Sequence, residues 1–170
     1  MRWWRRPTSS DLDRLLYPSA LYRDYLNAPD RVRRFYPVDF RDPRGCVRAG
    51  EERRYPPERR KAMAAILRGQ AERWGLLDAS RDALEKFARP ETLAVVSGQQ
   101  PGLFGGPLYT IYKAATAVAF AAELERVTKR PVVPVFWIAS DDHDFEEVRH
   151  VFLGDGTVEA KELAYPLEAA

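Results

Sequence analysis

Two nearly continuous apolar runs, Leu93-Ala94-Val95-Val96-Ser97 and Val132-Val133-Pro134-Val135-Phe136-Trp137-Ile138, are separated by one glycine-rich turn and one long helical pattern. Runs without polar alternation suit strands covered on both faces, and strand, helix and strand at these lengths make a parallel crossover. The fold class is therefore α/β, with a Rossmann-like parallel core. Pro134 fits such a strand best near an edge or a bulge. Between the runs, Pro107 sits where a first-turn proline is favoured. Leu108, Ile111, Ala115, Val118, Ala119 and Ala122 then predict a single apolar stripe running to about Thr128.

Upstream, Met63, Ile66, Leu67, Gln70, Ala71 and Trp74 share one helical face, and Gly75 closes that helix. Ser80 is read as the cap of a second helix, Arg81 to Ala88, so a helical hairpin precedes the sheet. Residues 1–57 form an irregular arm, because seven prolines from Pro7 to Pro57 interrupt it. Only Asp11 to Leu16 and Ser19 to Leu26 are predicted helical there, with Phe35, Tyr36 and Phe40 packing the arm onto the rest. Residues 58–147 hold the hairpin and the crossover. Residues 148–170 read as a β-hairpin turning at Gly154-Asp155-Gly156, the start of an inserted subdomain that is truncated.

Charge excludes some partners. With 27 Lys and Arg against 25 Asp and Glu in 170 residues, there is no basic field to recruit nucleic acid. Trp3-Trp4-Arg5-Arg6 is accordingly read as arm packing rather than base stacking. The apolar stretch from Ala114 to Ala122 is too short to span a bilayer, and the basic start runs into polar Thr8-Ser9-Ser10-Asp11 instead of a signal core. No membrane partner is expected, and the single Cys46 points to a reducing cytoplasm.

The chemistry concentrates at the carboxyl ends of the two apolar runs. Gly98, Gly102, Gly105 and Gly106 allow close backbone approach, and the helix starting at Pro107 offers free amides and a positive dipole end to an anion. A plain structural turn fits the same glycines, since their spacing matches no nucleotide fingerprint. Gln99 and Gln100 add amide donors and acceptors. Tyr109 and Lys113, four residues apart, share a helical face that can offer a hydroxyl and a cation to a ligand or only to solvent. After the second run comes Asp141-Asp142-His143-Asp144-Phe145-Glu146-Glu147. There, carboxylates can orient the histidine, raise its basicity or hold magnesium, or the segment can be a solvated helix cap. His150 is read as structural, and Cys46, in a proline-rich loop without an activating partner, as incidental rather than nucleophilic.

At these residues the chain resembles a known family, the bacillithiol biosynthesis cysteine-adding enzymes, BshC. The blocks that carry the likeness are Ser97 to Lys113, SGQQPGLFGGPLYTIYK, and Pro134 to Glu147, PVFWIASDDHDFEE. The resemblance implies a core like that of the nucleotidyltransferases and the joining of cysteine to glucosaminyl malate. It implies ATP with Mg2+ as the activating cofactor, and a homodimer formed through a coiled coil in full-length members. The His-x-Gly-His signature of the wider nucleotidyltransferase group is absent, and Gln99 and Gln100 occupy that part of the turn. On this reading His143, Asp142, Asp144 and Gln100 are catalytic; Gly98, Gln99, Gly102, Gly105, Gly106, Tyr109 and Lys113 bind ligand; metal ligands are unassigned. The rival expectation is a non-catalytic nucleotide- or anion-binding scaffold.

Overall fold

The computed structural model describes residues 19–53, 55–75, 78–141, 144–154 and 160–166. The predicted helix at Asp11 to Leu16, the Trp3–Arg6 stretch and the turn residues Asp155 and Gly156 lie outside the described residues. Helix α1, Ala20–Asn27, begins where expected: the Ser19 hydroxyl accepts from the Tyr22 amide at 3.1 Å and caps its first turn. A short 3-10 turn, Pro29–Val32, follows and buries Val32. Tyr36 and Phe40 both pack on Tyr25 of α1, with ring centroids 4.8 and 5.0 Å away, whereas Phe35 is exposed. Tyr36 and Phe40 thus pack within the arm itself, and Phe35, expected with them to pack the arm onto the rest, does not do so.

Helix α2, Pro43–Glu52, was not anticipated. Its proline occupies the first helical turn, where the missing N–H costs nothing, so Pro43 starts a helix instead of breaking one. The helix delivers Val47 and Cys46 to the core. Helix α3, Pro57–Trp74, ends at Gly75 in the left-handed conformation at φ 66°, as predicted. Its partner α4, Asp78–Phe87, starts before Ser80, so Ser80 lies inside the helix and is not its cap. Arg68 on α3 reaches Glu85 on α4 through two hydrogen bonds of 3.1 and 3.2 Å. The buried residues of α3 are Arg60 and Ala64. Met63, Ile66 and Trp74, from the shared apolar face, are exposed. Arg60 instead crosses to the end of α4, donating to the Phe87 carbonyl at 2.9 Å.

Strands β1, Leu93–Gln99, and β2, Val132–Ile138, pair in parallel, with Leu93 opposite Val132 and Gln99 opposite Ile138. Helix α5, Leu108–Thr128, connects them and packs on both. The core lies between α2, α5 and the sheet: Val47, Ala121, Leu124 and Val132, with Cys46, Leu93, Val95 and Phe120 against them. On the other side α4 covers the start of β2, where Val133 is buried. Thr92, fully buried, donates its hydroxyl to the Lys86 carbonyl at 2.6 Å and ties α4 to the entry of β1.

Helix α5 corrects the predicted stripe. Leu108, Ile111 and Val118 are exposed, and the buried residues are Ala117, Ala121 and Leu124. The helix is apolar on both sides, so periodicity alone could not choose between faces, and the small alanines allow the closer approach to the sheet. Cover of the sheet is likewise uneven, for Val96, Trp137 and Ile138 are exposed. Pro134 is accommodated as expected. The Ala139 amide donates to Gln99 O at 3.0 Å, and alternation along a parallel ladder then turns the Pro134 nitrogen to the edge away from β1.

A helical turn α6, Phe145–Val148, leads into an antiparallel hairpin of β3, His150–Gly154, and β4, Ala160–Ala164. The pairing agrees with the predicted hairpin, in register Val151 opposite Leu163. Among the described residues no helix is long and apolar enough to cross a membrane.

Candidate functional site

The parallel pairing aligns the carboxyl ends of β1 and β2, which is where open α/β sheets bind ligands. The Ala139 to Gln99 hydrogen bond closes that end of the ladder, so the glycine turn and the segment entering the acidic cluster leave the sheet side by side. Strand β3 packs against the 3-10 turn Leu103–Gly105 and borders the same region.

The glycines are explained first by packing. A Cβ at Gly98 would sit 2.7 Å from the Trp137 carbonyl oxygen, and one at Gly102 would sit 2.6 Å from Gly106 Cα. Gly105 and Gly106 have φ of 91° and 82°. Gly98 thus lets β1 lie close to β2, and Gly102, Gly105 and Gly106 form a tightly folded turn. Phe104, between them, takes φ 53° and is strongly exposed, an unusual state for an aromatic residue that the sequence reading did not single out. Nothing in its composition marks it; only the flanking glycines hint at a turn that forces neighbouring angles.

Helix α5 begins after Pro107 with no side-chain cap. Thr110, in its first turn, has a hydroxyl oxygen that is buried without a hydrogen-bond partner and lies 3.2 Å from where a Cβ at Gly106 would be.

Four of the predicted ligand-binding groups come together here. Lys113 Nζ donates to Gln99 Oε1 at 2.7 Å and to the Gly98 carbonyl at 3.2 Å. Gln99 Nε2 donates to Gln100 Oε1 at 2.5 Å and to the Tyr109 hydroxyl at 3.1 Å. The Lys113 ammonium also stands 5.2 Å from the centre of the Tyr109 ring. Gln100, expected to be catalytic, is thereby joined to the binding group. Among the described residues no carboxylate lies within ion-pair distance of Lys113. Among the described residues, the cluster can therefore hold an anionic oxygen without first breaking an ion pair.

On the β2 side, Asp144 is exposed just before α6. Asp142 and His143 lie outside the described residues. Among the described residues, no group of three or more His, Cys, Asp or Glu side chains is arranged to hold a metal ion. His150 donates from Nδ1 to the Glu146 carbonyl, 2.9 Å away, and meets Phe152 edge-on at 5.6 Å, consistent with a structural role. Cys46 is half-buried, donates weakly to the Asp39 carbonyl at 3.7 Å, and has its thiol pushed up by burial, with Asp42 and Asp39 adding to the effect. It is on helix α2, not in the loop expected for it.

Comparison with known proteins agrees with the strand, turn and helix arrangement. Residues 10–169 match the profile described as "Bacillithiol biosynthesis BshC, N-terminal Rossmann-like domain". Three similar proteins are each named "Putative cysteine ligase BshC". That of Salinibacter ruber is 44% identical over 128 residues, covering 75% of this chain and 23% of the relative. That of Solibacter usitatus is 42% identical over 137 residues, 81% of this chain and 25% of the relative. That of Halalkalibacterium halodurans is 38% identical over 138 residues, 81% of this chain and 26% of the relative. The chain thus spans about a quarter of the length of these curated relatives.

Proposed function

The chain belongs to the BshC family, and on that premise we propose that it carries the substrate-binding edge of a cysteine ligase of bacillithiol biosynthesis. The reaction in this reading is the last step, amide formation between the cysteine carboxylate and the amine of glucosaminyl malate. The observation that carries it is the Lys113 ammonium, held at the carboxyl end of β1 by Gly98 and Gln99 and free of any carboxylate among the described residues.

A free carboxylate is a poor electrophile. ATP with Mg2+, when bound, would supply its activation by giving the acyl carbon a better leaving group. The start of α5, which has no side-chain cap, the glycine turn before it and Lys113 fit phosphate oxygens. Magnesium usually takes only one or two protein carboxylates and keeps water or phosphate as its other ligands, so a pair such as Asp142 and Asp144 would suffice.

Within this frame the chain's own groups divide the work. The turn from Gly98 to Gly106, with Tyr109, holds anionic oxygens, and Lys113 offsets charge that develops on them. His143 accepts the proton of the attacking amine, Asp142 and Asp144 either orient it or hold the magnesium, and Gln100 positions the reacting groups.

The test is product formation from cysteine, glucosaminyl malate and Mg-ATP, read by mass spectrometry, together with rescue of bacillithiol in cells lacking the gene. His143→Ala is expected to lower the rate by roughly 100-fold or more, the usual contribution of a positioned base. Unchanged product formation in His143→Ala and Gln100→Ala would remove the assignment. Binding of the substrates by the chain without any product would favour the scaffold reading instead.

A further inference from the structure

Resting on the ligase reading, we infer that Lys113, Gln99 and Tyr109 form a directional hydrogen-bond array that selects an anionic oxygen, carboxylate or phosphate, and rejects an ammonium group.

An ammonium has three donors and no acceptor. The Gln99 atom 2.7 Å from Lys113 Nζ must therefore be the amide oxygen, which fixes the orientation of the whole amide. Its nitrogen then faces the Tyr109 hydroxyl at 3.1 Å and Gln100 Oε1 at 2.5 Å, and both of these accept. A hydroxyl that accepts from Gln99 must direct its own proton elsewhere. Lys113 commits two donors, to Gly98 O and Gln99 Oε1, and keeps its third.

Tyr109 and Lys113 lie one turn apart on α5, with the ammonium beside the phenol ring. Their remaining hydrogen-bonding capacity is thus an O–H and an N–H on one exposed face, accompanied by a positive charge. A carboxylate or phosphate oxygen complements that face in both charge and hydrogen bonding. An ammonium opposes it in both. Each proposed substrate carries carboxylate as well as ammonium, so the array decides which end of the molecule docks at β1 and leaves the amine to the β2 side.

Titration of the 170-residue chain, followed by the side-chain amide signals of Gln99 in 15N-labelled protein, tests this. Sodium malate, inorganic phosphate and cysteine supply the anionic oxygen from three sources, and cysteamine is cysteine without its carboxylate. Malate, phosphate or cysteine is expected to shift the Gln99 signals, the tightest of them identifying the source, and cysteamine is expected to leave them in place. Gln99→Glu keeps the shape but pairs Lys113 with a carboxylate and draws the Tyr109 proton inward, so anion binding should weaken by about tenfold. Tyr109→Phe removes the outward O–H together with the oxygen that accepts from Gln99 and should weaken it several-fold, with the thermal midpoint of both variants near that of the parent chain.

Cysteamine shifting Gln99 as cysteine does would overturn the inference, as would anion binding unchanged in both variants or no response to any of the three anions. The readout needs no turnover. A chain that binds anions in this pattern but forms no product keeps the array and loses the ligase reading; product formation indifferent to Gln99→Glu and Tyr109→Phe does the reverse.

Discussion

The backbone amide of Ala139 donates to the carbonyl of Gln99 at 3.0 Å, and this one bond joins the exit of β2 to the exit of β1. Because Gln99 also receives Lys113 through its side chain, the same residue closes the sheet and organises the polar cluster beyond it. Ligand contacts at the cluster should therefore be sensitive to the strands beneath them.

The buried hydroxyl of Thr92 offers a direct measure of how α4 is tied to the sheet. Thr92→Val retains the volume and removes the 2.6 Å donor from the Lys86 carbonyl, which keeps the Arg89 amide at 3.1 Å. A loss of about 0.5–1.5 kcal/mol is expected, read as a lower urea midpoint with an unchanged slope. A midpoint equal to that of the parent would show that the bond contributes nothing.

The two faces of α5 should respond in opposite ways to truncation. Leu124, buried in the core cluster, should cost about 2–5 kcal/mol as Leu124→Ala. Val118, on the exposed side, should cost no more than about 0.5 kcal/mol as Val118→Ala. Equal losses in chemical denaturation would mean that both faces are covered in solution.

Burial raises the Cys46 thiol, and the carboxylates of Asp42 and Asp39 act in the same direction. The protonated thiol is thus favoured by folding, and the associated stability is present below the ordinary thiol range and lost as pH rises through the elevated value. Alkylation by iodoacetamide at pH 8 should be much slower in the folded chain than in urea, and should accelerate as pH increases further. Equal rates in the two states would contradict the placement of Cys46 against the core.

The parallel crossover was legible because β1, α5 and β2 differ in local pattern, and their order leaves few topologies. The cluster was legible in part for the same reason. Tyr109 and Lys113 share a helical face by spacing, and the strand end places Gln99 beside them. Helix α2 was obscured by reading Pro43 as a breaker, although a proline at a first turn is compatible with helix. The buried side of α5 was obscured because alanines and larger apolar residues surround the helix. Which of them meets the sheet is set by how close the helix can approach, a tertiary quantity with no signature in periodicity. The strain at Phe104 likewise arises from closing a turn between glycines, not from any preference of phenylalanine.

Adding one methyl group at each of two glycines separates close packing from mere flexibility. Gly98→Ala would place its Cβ 2.7 Å from the Trp137 carbonyl oxygen and 3.0 Å from Trp137 Cβ, both on the neighbouring strand. Backbone atoms cannot yield as a flexible side chain can, so β1 and β2 must separate at the site edge, at a cost of about 1–3 kcal/mol. The Gly98 carbonyl that receives Lys113 would move with the strand, and anion binding should fall together with stability. Gly69, inside α3, has nothing within 4 Å of an added Cβ. There the substitution only removes conformational freedom from the unfolded chain, and Gly69→Ala should stabilise by about 0.4–1 kcal/mol. Thermal unfolding of the two variants is expected to move in opposite directions, with ligand response lost only in Gly98→Ala; a Gly98→Ala chain as stable as the parent would show that the strands can part there without strain.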